Sequence, residues 1–229
     1  MCTRYVSADA AALERQWHVG RAHSWRGAPM SIAPIDLFPG YQGPIIRAAR
    51  DSTEPRRELI GAQWNLIPWF AETPKLKYAT CNARSEELAA KASYKLPWAR
   101  GQRCIIPAAV FFEPNWETGK HIRWAFERAD GEPWGLAGLW NTWVDKASGE
   151  IHESFTMTMN ADVHPLMKRM HKPDPKRPLH MQDKRSVVPV DLAEVDAWLF
   201  GTTEDASTLL KLPAVEDIKA EPVLSNPAS

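Results

Sequence analysis

The stretch Arg103-Cys104-Ile105-Ile106-Pro107-Ala108-Ala109-Val110-Phe111-Phe112, closed by Glu113, decides how the chain is read. It is an apolar run broken by Pro107, which reads as a strand with a bend or bulge, or as an edge strand. Further strands lie on either side. Pro44 to Arg50 and Leu59 to Trp64 precede it. His121 to Arg128 follows, with Ile122, Trp124 and Phe126 alternating on one face, and then come Trp134 to Trp140 and Ser154 to Asn160. Asp145 to Gly149 is the turn between the last two.

Helical signals are short and scattered. Residues 9–17 read as a helix, and so does the Ala- and Glu-rich stretch Ser85 to Tyr94. His164 to Met170 suggests a helical turn, and Asp191-Leu-Ala-Glu194 resembles a capping box for a helix ending near Phe200. Residues 26–44, rich in Pro and Gly, read as an ordered loop, and Ser225 to Ser229 as a frayed end. Strands predominate without a βαβ rhythm. The expected class is therefore α+β, with a mostly antiparallel, barrel-like sheet and interspersed short helices.

The 229 residues are expected to form a single domain, 1–229, and a hydrophobic content of 44% supports a sizeable core. No stretch is apolar enough to span a membrane. The N-terminus lacks the pattern of a signal peptide. Three cysteines at unrelated spacings make no disulfide framework, which fits a reducing, cytoplasmic compartment. Zero net charge argues against a wholly basic nucleic-acid coat but leaves room for a local basic groove.

Cys2 directly follows Met1. Once Met1 is removed, Cys2 presents an α-amine and a thiol two carbons apart, with reference pKa values of about 7.7–8.0 and about 8.5. Such an aminothiol captures an aldehyde first as an imine and then, through sulfur, as a five-membered thiazolidine; closure is intramolecular and gains a large effective molarity. While Met1 remains, that amine is blocked. The plain alternative is a frayed terminus.

Glu113 ends a buried strand, where a carboxylate is costly unless paired or protonated; facing a pocket, it would suit proton shuttling, and otherwise it is a rim residue. Asn82 and Arg84 lie just before the Ser85 helix, where Asn82 is either a helix-start residue or an orienting amide and Arg84 a phosphate ligand. Leu166 to Arg185 holds Lys168, Arg169, Lys172, Lys176, Arg177, Lys184 and Arg185, opposed by Asp174 and Asp183: a phosphate footprint or a solvated loop. His164, His171 and His180, seven and nine residues apart, have no recognised metal spacing, so no metal or cofactor is expected. Cys81 and Cys104 read as core thiols. Trp64 reads as core, while Trp69 and Phe70 fit either a core or a base-stacking surface.

Taken in order, Met1-Cys2-Thr3-Arg4-Tyr5, Ser31-Ile-Ala-Pro34, Trp64-Asn-Leu-Ile-Pro68-Trp69, Asn82-Ala-Arg84, Arg103 to Glu113, Gly138-Leu-Trp140, Thr158-Met-Asn-Ala161 and His171 with Lys176-Arg177-Pro178 resemble the SRAP (SOS response-associated peptidase) domain. The resemblance implies a sensor of abasic sites in single-stranded DNA. Its Cys2, freed of Met1, would form a thiazolidine crosslink with the ring-opened sugar and shield the lesion. It further implies that Asn82 positions the terminal residue or the sugar. Glu113 would shuttle protons at the amine and assist Met1 removal, and His171 would protonate the ring oxygen. Arg4, Arg84, Thr158, Lys176 and Arg177 would hold DNA, and Pro34 and Trp69 would pack on bases. Autocatalytic peptidase and abasic-site lyase activities come with the resemblance, as does a monomer that joins the nucleoid when bound to DNA. Three departures stand out: Thr3 replaces a glycine, Pro114 replaces a tryptophan, and residues 172–175 intervene after His171, where His164 is a rival. Two alternatives stay open: an N-terminal-nucleophile amidohydrolase, which needs a four-layer fold with long helices, and a non-covalent single-stranded-DNA-binding module.

Overall fold

The computed structural model describes residues 1–19, 24–25, 28–29, 33–160, 162 and 164–223. Its strands are β1 (Tyr5–Ser7), β2 (Ser24–Trp25), β3 (Ala28–Pro29), β4 (Asp36–Leu37), β5 (Gln42–Ala48), β6 (Arg57–Trp64), β7 (Asn82–Arg84), β8 (Arg103–Asn115), β9 (Ile122–Arg128), β10 (Trp134–Val144), β11 (Ile151–Asn160), β12 (Ser186–Val187) and β13 (Ile218–Pro222). The α-helices are α1 (Ala10–Trp17), α2 (Lys95–Ala99), α3 (Val195–Phe200) and α4 (Thr203–Thr208).

Pairing in the order β10-β11-β6-β5-β8, with β8 pairing back onto β10, closes a barrel. Most pairs are antiparallel, but β11 runs parallel to both β6 and β7, so the sheet is mixed. β1 and β9 extend from β8, and β7 and β12 from β11. The class is α+β and barrel-like, as the strand pattern implies. The described residues do not form the four layers that the amidohydrolase alternative needs.

β8 is the central element of the barrel, pairing with β1, β5, β9 and β10, so the edge-strand reading of its Pro107 is wrong. The bulge reading holds. Val6 pairs with Val110 and Ser7 with Ala108, leaving Ala109 as the extra residue. The run is apolar throughout because both faces are covered. Cys104, Ile106, Ala108 and Phe111 turn to the barrel interior with Tyr5, Trp64 and Phe155. Ile105 faces the outer core, where Leu13, Trp17, Trp98 and Trp198 of the helices pack. Gly138 on β10 is required sterically, since a β-carbon there would lie 2.7 Å from the Thr156 carbonyl oxygen.

The helix expected over residues 9–17 forms as α1, capped by the Asp9 carboxylate. Residues 85–94 do not form the expected helix. Ser85–Glu87 is one 3-10 turn and separate turns follow. Leu88 and Tyr94 are both buried, yet six residues apart they would sit on different faces of an α-helix. No capping box forms at Asp191, where a 3-10 turn precedes α3; a capping box is made instead by Thr202 and Asp205 at α4. His164 to Met170 holds a 3-10 turn, Met167–Arg169. The expected fraying at 225–229 and part of the 26–44 loop lie outside the described residues.

Candidate functional site

Antiparallel pairing of β1 with β8 fixes where the N-terminus goes. Tyr5 pairs with Phe111, and the Phe112 N–H donates to the Arg4 carbonyl, so the residues before Arg4 run alongside Glu113 and Pro114. Strand alternation puts Glu113 on the same face as Phe111, at the rim of the barrel interior, where it is 1% exposed. The Met1 amine lies 2.6 Å from His171 Nε2 and 3.7 Å from Glu113 Oε2, and His171 Nε2 lies 2.7 Å from the same carboxylate oxygen. Nε2 has a single in-plane valence. It can donate to the carboxylate or accept from the amine, but not both at once. The trio is therefore spaced so that protons can pass between amine, imidazole and carboxylate.

Cys2 is fully buried beneath this group. Its thiol donates to the Arg4 carbonyl at 3.4 Å. Burial, reinforced by the Glu113 charge, pushes the thiol far above its ordinary pKa, so it is held protonated. Asn82 reaches in from β7, and its Nδ2 donates to the Cys2 carbonyl at 2.7 Å. Asn82 is thus a strand residue aimed at the terminal segment, not a helix start. Its Oδ1 and Glu113 Oε1 are buried without partners, leaving acceptors free inside the site.

The rival histidine is elsewhere in its bonding. His164 is buried, its Nδ1 accepts from the Leu166 N–H, and its Nε2 lies 3.1 Å from the Pro213 carbonyl. Burial lowers its pKa. The structure brings His171, not His164, to Glu113. Among the described residues, no group of three or more His, Cys, Asp or Glu is placed to hold a metal.

The expected DNA-contact residues divide. Arg4 makes a two-pronged pair with Asp36 at 2.9 and 2.7 Å, lying over the Phe112 ring, and that pairing raises its pKa. Arg84 is shared between Glu87 and Asp183, each at 3.1 Å. Pro34 is exposed, and Trp69 is 60% exposed beside Phe70. Lys176 and Arg177 sit in an exposed loop closed on itself by Gln182, which bonds Asp174 and the Arg177 carbonyl. They do not touch His171 or Glu113. Thr158 corrects an expectation: it is fully buried on β11 with an unpartnered hydroxyl, and offers no surface to DNA.

The basic segment does reach the site through a residue the sequence did not single out. Lys184 Nζ donates to the carbonyls of Met170 and His171. A depression of about 250 Å³ opens beside His171, with Trp116, Lys168 and Lys184 in its wall. A larger cavity of about 430 Å³, lined by Arg128, Trp134 and Asp191 among others, shares no residue with the site.

The SOS response associated peptidase (SRAP) family model matches residues 1–226. The chain belongs to the SRAP family. Among similar proteins is the abasic site processing protein HMCES of Xenopus tropicalis, 27% identical over 221 residues, covering 87% of this chain and 61% of that protein. The abasic site processing protein YoqW of Bacillus subtilis is 29% identical over 110 residues, covering 48% of each. The chain thus spans about half to three-fifths of the length of these relatives. A crystal structure of a Bordetella bronchiseptica protein superposes with a TM-score of 0.81 at 30% identity, covering 98% of this chain and 100% of that one. The SRAP chain described here has no helix long and apolar enough to cross a membrane among its described residues.

Proposed function

We propose that this SRAP protein processes abasic sites in single-stranded DNA by covalent capture through Cys2 once Met1 has been removed. The observation that carries the reading is the placement of the N-terminal amine against His171 and the buried Glu113, with Asn82 bonded to the Cys2 carbonyl. The names of the relatives point to the same substrate.

In this structure the Cys2 nitrogen is still an amide, so hydrolysis of the Met1–Cys2 bond comes first. Glu113 and His171 move the protons of that step. The freed amine then adds to the ring-opened aldehyde and expels one water to give an imine. The Cys2 sulfur adds to the imine carbon, and the thiol proton ends on nitrogen. Nothing is oxidised or reduced. His171 delivers a proton to the sugar oxygen during opening, Glu113 exchanges protons with the amine, and Asn82 fixes the backbone that carries both nucleophiles. Abasic DNA has no base to unstack, which lowers the cost of bringing the sugar to a buried thiol. Arg4 and Arg84, now paired with carboxylates, would share their charge with phosphates, while exposed Trp69 and Pro34 would meet bases.

The test is a denaturing gel of a single-stranded abasic oligonucleotide incubated with protein whose Met1 loss is verified by mass. Wild type gives a retarded band and Cys2→Ala gives none. A verified Cys2 terminus with no band would sink the reading.

A further inference from the structure

We infer that Lys184 is a positioning residue for His171, acting by clamping the strained loop that aims the imidazole at Glu113. The inference rests on the function proposed above. His171 has φ 61, in the left-handed region, which is unfavourable for a residue bearing a β-carbon. Such a conformation persists only where its surroundings impose it. Three contacts do so here. The His171 N–H donates to the Pro114 carbonyl at 2.6 Å. Met170, extended at φ −88 and ψ 169, bridges to Asn115 on β8. The third contact is Lys184, whose ammonium takes the carbonyls of Met170 and His171 together, the latter at 2.6 Å.

An extended residue followed by a left-handed one turns these adjacent carbonyls onto a single cation. The first two contacts tie the loop to β8 from its N-terminal side. Lys184 alone among the three holds the carbonyl of the imidazole-bearing residue itself. Its ammonium has three protons, and two are committed to main chain, so its built contacts are to the loop. The neighbouring charges are matched separately, Arg185 with Glu86 and Asp183.

Lys184→Met keeps the length of the side chain and removes charge and donors, and Lys184→Arg keeps both. With Met1 loss verified for each protein, single-turnover crosslinking is compared with non-covalent affinity for an oligonucleotide carrying a tetrahydrofuran site, which has no aldehyde. Lys184→Met is expected to slow crosslinking roughly tenfold or more, because small misplacement of a reacting group has that scale of effect. Its affinity should stay within about twofold of wild type, and Lys184→Arg should restore most of the rate. If Lys184→Met does not fold, Lys184→Leu, which also removes the charge and the donors, is read the same way. A wild-type crosslinking rate in the Met or Leu variant overturns the inference. So does a loss of affinity equal to the loss of rate, which would make Lys184 a DNA ligand. Failure of the function itself is distinct, since wild type would then form no crosslink.

Discussion

Replacing Glu113 with Gln separates a residue kept for chemistry from one kept for folding. The carboxylate is 1% exposed, and one of its oxygens has no partner. Removing an ion of this kind from water costs several kcal/mol. Its charge partner, the Met1 ammonium, is 3.7 Å away. At that distance the attraction runs from about 1 kcal/mol in water-like surroundings to about 4.5 kcal/mol at an effective dielectric constant of about 20. Met1 is 57% exposed, so the lower end applies. Burial therefore offsets that attraction, and the hydrogen bond from His171 Nε2 at 2.7 Å does not need the charge, so the charge itself contributes little to stability. Gln has the same shape, and its amide oxygen still accepts from His171 Nε2. The Glu113→Gln protein should melt at the wild-type temperature or above it. Its single-turnover crosslinking should fall by a factor of about 10² to 10⁴, the usual contribution of a general acid–base group. The assay uses protein released from a cleavable leader so that the chain begins at Cys2, which removes any dependence on self-processing. Crosslinking within about threefold of wild type would refute the reasoning. Loss of rate together with a matching loss of melting temperature would assign Glu113 a structural role instead.

Asn82→Ala leaves the Cys2 carbonyl without its donor, a loss of about 1–3 kcal/mol, and should slow crosslinking roughly five- to 150-fold; an unchanged rate in the same gel assay would remove Asn82 from the machinery. Thr158→Val should preserve DNA affinity and hold or raise the melting temperature, since it replaces a buried, unpartnered hydroxyl; weakened binding would restore Thr158 as a DNA contact. Alkaline pH should destabilise the fold. Burial raises the pKa values of Cys2, Cys81, Cys104, Tyr5 and Tyr94, so they stay protonated when folded and ionise when unfolded. Their contribution is whole below about pH 8.5 and falls by about 1.4 kcal/mol per buried thiol for each unit above it. A melting temperature flat to pH 10 would contradict this.

Cys2, Asn82, Glu113 and His171 come from four separated segments; the residues alone left Asn82, Glu113 and His171 open, and it is the resemblance to the SRAP domain that singled them out, while the structure brings the four together. What was not legible depends on three-dimensional closure. Periodicity locates β8 and β10 but cannot show that β8 pairs with both β10 and β5, and that closure makes β8 central. The stretch 85–94 has helical composition, yet the burial of Leu88 and Tyr94 breaks it into turns. Lys184 was one cation among seven in its segment, and nothing local distinguishes it. The signal is the left-handed backbone of His171, a conformation that a histidine in a sequence does not announce. The partners Asp36 of Arg4 and Asp183 of Arg84 are remote in sequence, so those pairs are not visible there, although Glu87, the other partner of Arg84, is three residues away.

Mass spectrometry of the N-terminus before and after reaction with abasic DNA tests the central claim most directly. The account predicts that active protein has lost Met1, and that after nuclease digestion the N-terminal peptide carries the sugar remnant minus one water. The adduct should resist thiol alkylation at Cys2 and should form without borohydride, because nitrogen and sulfur are both bonded to the former aldehyde carbon. An adduct on a lysine, an adduct captured only with borohydride, or crosslinking by protein that still carries Met1 would contradict it.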